Sequence, residues 1–232
     1  DKVIDAQITI ANKLGQGART KIFRVIPGFR NLGKAREFHK KIAGNARGPE
    51  YAPAALMKSA QIARGDDKLI EAIDSLERLI NLYPEDSLCE KAYFDLAIIH
   101  ESMVKGPLYD QGTTLKALSF YEDYLILFDT IQRAARESEE GLAKRHEAWK
   151  VRQVDAEKGR GRMLDMLARS KLEIGQFYHH HGHKFSPRGS VSKPASQYYN
   201  EAITLAPDSK SAQSAIQGLK KLKNSFSILW DI

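Results

Sequence analysis

The chain has 232 residues, of which 42% are apolar and 28% charged. That balance excludes low-complexity disorder over most of the length, and the length is enough for one large buried core or two small ones. Apolar runs such as Leu96–Ile99 and Leu125–Phe128 are far shorter than the ~18 residues that cross a bilayer.

Cys89 is the single cysteine, so the chain forms no internal disulfide and no cysteine-based zinc site. Cytosol and periplasm both stay open on that ground. Lys and Arg number 36 against 29 Asp and Glu, a net charge of +7. The bland reading is a solvated basic surface. The sharper one is an acidic partner: an anionic membrane surface, an acidic protein or nucleic acid. The first residue is Asp1 rather than Met, which fits a processed leader and a trimmed chain alike.

Residues 1–49 read as an N-terminal cap with a degenerate first repeat. Lys34–Ala43 looks helical, Pro27-Gly28 and Gly44–Pro49 look like breaks, and Ile8-Thr9-Ile10 and Ile22–Ile26 are β-prone strings without a convincing strand pattern. Pro53–Ala63 is expected to be a helix with Ala55, Leu56, Ser59, Ala60 and Ala63 on one small apolar face. Asp66 suits an N-cap for the helix that follows.

That next helix carries a spacing found three times. Ala72, Leu76, Leu79 and Pro84 form the first copy. Ala117, Tyr121, Tyr124 and Asp129 form the second, and Ala195, Tyr199, Ala202 and Pro207 the third. The offsets of four and seven keep the first three residues on one helix face. A small residue there admits a neighbouring helix, and a large one fills the gap a turn later. Proline twelve residues on cannot continue the helix, and Asp129 in its place predicts a softer stop. A preceding helix over Lys91–Met103, with Ala92, Leu96, Ala97 and Ile99 inward, pairs with the second copy. Cys89 lies at its start, where a helix N-terminus lowers a thiol pKa, although packing is the usual fate of a free Cys.

Two loops exceed what a helix pair needs: Lys105–Gly112 and Gly182–Lys193. Between repeats, Thr130–Tyr178 is rich in Arg, Lys, Glu and Ala. It predicts one or two long charged helices, with a break near Gly159–Gly161. The aromatics Tyr93, Phe94, Phe120, Tyr121, Tyr124, Phe128, Phe177, Tyr178, Tyr198 and Tyr199 mostly read as core by spacing.

Helix pairs at about 34 residues are the signature of tetratricopeptide repeats, and the sequence resembles that family. The expected fold is an all-α superhelical solenoid of antiparallel helix pairs, with a long charged helix before the last repeat. Its divisions are 1–49, two repeats over 50–129, and the long helix with the C-terminal repeat and capping helix over 130–232. The groove of such a fold is lined by the first helix of each pair. By register it draws Met57, Gln61 and Arg64 from one repeat, Lys91, Phe94, Ile98 and Glu101 from the next, and Arg169, Leu172, Gln176 and His179 from the last. Apolar residues mixed with amides and Arg suit an extended peptide or a partner helix.

Three further segments resemble the BamD outer-membrane assembly lipoproteins. They are Tyr51-Ala52-Pro53 with Ala55 and Leu56; Asp110-Gln111 with Ala117, Phe120 and Tyr124; and Leu167-Ala168 with Leu172–Tyr178 and Gly182. The resemblance covers roughly residues 34–223. It implies a periplasmic, lipid-anchored, non-enzymatic adaptor on the inner face of the outer membrane, whose partners are unfolded β-barrel proteins and a barrel-assembly component. Membrane contact comes only through the anchor, and no cofactor is expected. Nucleic-acid binding would want aromatics interleaved with Arg on one face, whereas Arg and Lys sit mainly in the long helix, where aromatics are sparse apart from Trp149, so no nucleic-acid partner is expected. The family's lipidated N-terminal cysteine has no counterpart in this sequence, and the Gly182–Lys193 insert lengthens the last repeat's turn.

Two rivals stand beside it. A generic periplasmic or cytoplasmic repeat scaffold with another client shares every repeat feature. A metal-dependent enzyme would use His179-His180-His181-Gly182-His183, where His179 and His183 chelate only if the helix continues past Gly182. Acid pairs such as Glu139-Glu140 point apart on a helix and do not make a general acid–base pair. Gly15-Gln-Gly17 lacks the Lys-Ser/Thr of a phosphate loop.

Overall fold

The structure, a computed structural model, describes residues 2–15, 32–45, 48–130, 138–182 and 192–230, and every regular element in them is helical. The expectations for Ile22–Ile26, Pro27-Gly28 and His183 fall outside those residues, as does most of the Gly182–Lys193 loop. Among the described residues nine helices follow in order: α1 (Lys2–Gly15), α2 (Leu32–Asn45), α3 (Ala52–Gly65), α4 (Leu69–Leu82), α5 (Leu88–Ser102), α6 (Gln111–Leu127), α7 (Glu139–His181), α8 (Ser192–Leu205) and α9 (Lys210–Trp230). Among the described residues no helix is long and apolar enough to cross a membrane. Backbone contacts divide the chain into two interleaved units, Asp1–Ile99 with Asp123–Arg152, and His100–Glu122 with Gln153–Ile232.

In the first unit α1 packs on α2, α2 on α3 and α3 on α4. The β-prone string at residues 8–10 lies inside α1. Ile4, Gln7, Ile8, Ala11 and Leu14 form an inward stripe at steps of three and four, while Thr9 and Ile10 face solvent. The longer period decides between helix and strand. Asp66 is the residue that follows α3, not the cap of α4, and its carboxylate accepts a 2.6 Å bond from Arg36 Nη1. Lys68 precedes α4 without a side-chain cap. Asp67, at φ 55°, makes the turn in the left-handed region that Asp tolerates better than most side chains. The small face foreseen on α3 is present: Ala55, Ala60 and Ala63 are buried, and the Ser59 hydroxyl lies 3.2 Å from that of Ser75 on α4. Farther along this unit, the rings of Phe94 and Tyr124, and of Tyr93 and Phe128, join α5 to the end of α6 at centroid distances of 5.4 and 5.5 Å.

The first three positions of each copy of the repeated spacing are buried. Ala72, Leu76 and Leu79, Ala117, Tyr121 and Tyr124, and Ala195, Tyr199 and Ala202 are each at most 1% exposed. Each fully buried Leu among them contributes about 2–3 kcal/mol of transfer free energy. The three helices also end alike, at Leu82, Leu127 and Leu205, two residues before Pro84, Asp129 and Pro207. Asp129 therefore ends α6 at the same place as proline ends the other two.

In the second unit the expected break at Gly159–Gly161 is absent, because α7 runs 43 residues through both glycines. A Cβ at Gly159 would stand 2.3 Å from Tyr121 Cζ. The glycine makes room for a ring of α6 and does not end the helix. Tyr199 of α8 repeats the arrangement against Gly175 of α7 and Gly218 of α9. Around it Ala168, Leu172, Ala195, Ala202, Ala215 and Leu222 close a core. Of the aromatics, expected mostly in the core, Phe177 is half exposed, while Tyr178 stacks on Tyr198.

Candidate functional site

The residues expected to line a groove fall into two sets, one in each unit. In the first unit, Met57 and Phe94 are buried, the latter against Tyr124, and Ile98 is half-buried. Gln61 and Arg64 are exposed on α3. Arg64 Nη1 donates a 3.2 Å bond to Asp95 Oδ1, and Lys91 Nζ donates to Asp95 Oδ2. A nearly buried carboxylate thus fixes two cations from neighbouring helices, while both keep part of their side chain in water. Arg64 presents a fork of donors and commits one of them to Asp95. The arrangement suits an anionic group, such as a peptide carboxylate, more than it suits proton transfer.

In the second unit, Glu101 accepts a bidentate grip from Arg162, with Arg162 Nε 2.5 Å from Oε1 and Nη2 2.8 Å from Oε2, and it also accepts the Tyr121 hydroxyl. Burial raises the Glu101 pKa, but the bonds from Arg162 and Tyr121 outweigh it and hold the carboxyl below its usual range. Arg169 is exposed and pairs with Glu173 on its own helix. Leu172 is buried in the core around Tyr199, and Gln176 is exposed. His179 Nδ1 lies 3.1 Å from the Tyr199 hydroxyl. Burial, then His180 and Lys221, depress its pKa.

His180 Nδ1 lies 2.8 Å from the Gln176 carbonyl, on its own helix. Among the described residues no three His, Cys, Asp or Glu side chains stand together as a metal site would require. Cys89 is buried and its thiol donates to the Tyr83 carbonyl at 2.9 Å. Burial, with the charge of Asp86 added, pushes the thiol pKa up to about 11, so the helix N-terminus does not activate it.

Sequence reading missed three features. Asp95 is the acid that ties Arg64 to Lys91, although its place four residues after Lys91 is a legible helix pairing. Glu90 and Arg152 of the first unit form a second bidentate pair, at 2.8 and 2.6 Å, and Glu90 also accepts the Tyr124 hydroxyl at 2.6 Å. In the second unit an open groove of about 740 Å³ follows one face of α8, lined by Lys193, Gln197, Asn200 and Glu201 with Lys171 of α7.

The segments that carry the family resemblance have local structural work in this chain. The Asp110 carboxylate accepts the Gly112 and Thr113 amides and the Thr113 hydroxyl, and so caps α6. Gln111 Nε2 donates to Ser170 Oγ on α7 at 2.6 Å. No family model matches the chain, and no curated protein matches it.

Proposed function

We propose that the chain is a non-catalytic protein–protein adaptor, a tetratricopeptide-repeat solenoid that acts as the BamD lipoproteins do. It binds segments of unfolded β-barrel proteins and a barrel-assembly component on the periplasmic side of the outer membrane. The observation that carries this reading is the threefold small–large spacing, buried at its first three positions in each copy and ended at the same offset. Stacked helix pairs of that kind create extended binding faces rather than enclosed catalytic pockets. The Asp110-Gln111 and Leu167–Tyr178 segments support the BamD-like adaptor over a generic scaffold through the resemblance they carry, beside their local packing.

The client contact is the α3–α5 face. Arg64 and Lys91, steadied by Asp95, grip the terminal carboxylate of a barrel segment, and Gln61 bonds its backbone. Phe94 supports this face from within, against Tyr124.

Titration of a labelled C-terminal barrel peptide tests it. Arg64→Ala with Lys91→Ala should weaken binding by roughly 2–4 kcal/mol, as truncation of binding hot spots does, with circular dichroism unchanged. Equal affinity in the variant and the wild type removes this face from the proposal.

A further inference from the structure

The connection between α5 and α6 is longer than a turn between paired helices requires, and the adaptor reading leaves it without a task. Gly106, at φ 144°, and Pro107 shape its tip, and the Tyr109 amide donates to the Gly106 carbonyl at 3.3 Å. Leu108 and Tyr109 stand 63% and 66% exposed on that tip, and Leu115 in the first turns of α6 is 51% exposed. The Tyr109 ring lies over Gly106, with Cδ2 3.6 Å from where a Cβ would be. Both ends of the tip are pinned. The Val104 amide bonds the Glu101 carbonyl on one side, and the Asp110 cap and the Gln111–Ser170 bond hold the other. Two adjacent large apolar side chains are therefore held outward by a fixed turn and are not merely loose.

The charges around them select the occupant. Lys105 precedes the tip and Lys116 follows it in the second turn of α6, and both are exposed. Asp110 is the acid between them, and its carboxylate is turned into the α6 amides and the Thr113 hydroxyl. The whole chain carries +7. Two side chains cover far less than the ~800 Å² per partner of a stable protein interface. A leucine and an amphipathic tyrosine ring between lysines do suit the headgroup boundary of a bilayer, where apolar insertion and attraction to anionic lipid add.

We propose that the Gly106–Tyr109 turn is a membrane-docking wedge: Leu108 and Tyr109 enter the interface of an anionic bilayer while Lys105 and Lys116 meet its phosphates. This contact goes beyond a lipid anchor and does not depend on the adaptor reading.

Flotation of the full chain with phosphatidylcholine vesicles, with and without phosphatidylglycerol, tests it. The wild type should float with the anionic vesicles and stay behind with the neutral ones. Leu108→Ser with Tyr109→Ser should lower the bound fraction about tenfold or more. Lys105→Gln with Lys116→Gln should lower it about fivefold for each lysine and flatten the salt dependence. A polarity-sensitive dye on Leu108→Cys should shift to shorter wavelength only with anionic vesicles, a readout that holds even if a double variant folds poorly. Wild-type protein that stays behind with both vesicle types, or a dye that does not shift while the protein floats, overturns the wedge.

Discussion

The ring of Tyr199 occupies the space a side chain at Gly175 would need: a Cβ there would fall 2.8 Å from Tyr199 Cδ1, and one at Gly218 would fall 2.6 Å from Cζ. Tyr121 stands in the same relation to Gly159. Tyr121 and Tyr199 hold equivalent places in the repeated spacing, so both large residues are received by bare backbone on the next helix.

This reverses an ordinary expectation. Glycine inside a helix usually costs about 1 kcal/mol relative to alanine. Gly159→Ala should nevertheless destabilise the protein by about 1–3 kcal/mol, because Tyr121 is buried and has nowhere to move. Gly161→Ala, two residues on, meets nothing within 4 Å and is exposed. It should stabilise by about 0.5–1 kcal/mol. Urea unfolding of the two variants beside the wild type decides it, and a shift of the same sign in both contradicts the role assigned to Gly159.

These positions also mark what could be read from the chain. The small–large spacing was legible because close helix packing admits few residue types at those sites. Gly159 was not, because its role depends on a ring 38 positions earlier, so it looked like a breaker. Local strings misled in the same way: Ile8 and Ile10 show period two over three residues, and the helical period emerges only from Ile4 to Leu14. Asp66 has cap chemistry, but its partner is Arg36, which no local pattern names. At the candidate site, Arg64 and Lys91 followed from register. Asp95 became visible only when two helices were known to bring both cations to it.

The two bidentate pairs should differ in strength. The Arg152 side chain is 16% exposed and that of Arg162 55%. Removing a partner from a buried pair costs about 3–5 kcal/mol, since a charge is left unpaired away from water. Exposed pairs yield at most about 1 kcal/mol. Arg152→Met should therefore lower stability several times more than Arg162→Met. Thermal melts of both check this, and equal losses would show that Glu90 stays solvated.

Cys89 should be inert in the native protein. Its thiol is buried, bonded to the Tyr83 carbonyl, and pushed up to about 11. Reaction with a thiol-specific disulfide reagent at about neutral pH should be slower than that of a free thiol by orders of magnitude, because the thiolate is the nucleophile. It should become fast in denaturant. Rapid labelling without denaturant would show that the start of α5 opens in solution.

Acid sensitivity should trace to His39 of α2. Its side chain is buried, and neither ring nitrogen has a hydrogen-bond partner among the described residues. Burial, with the nearby Lys58 charge added, lowers its pKa from 6.5 to about 4. The native state therefore prefers the neutral ring, and the unfolded chain binds the proton more readily. Stability from this group is complete above 6.5 and is lost as pH falls toward about 4. The shift corresponds to a loss of about 2–3 kcal/mol over that window. His100 and His179 are depressed as well, mainly by burial, and act in the same direction. Glu101, held low by Arg162 and Tyr121, weakens the fold only below the ordinary carboxylate range. His39→Leu keeps a side chain of similar bulk and removes the titration. Urea midpoints measured from about pH 7 down to about pH 4.5 should fall steeply in the wild type and much less in the variant. Parallel slopes would mean that His39 reaches water in the native protein and that its burial does not set the acid response.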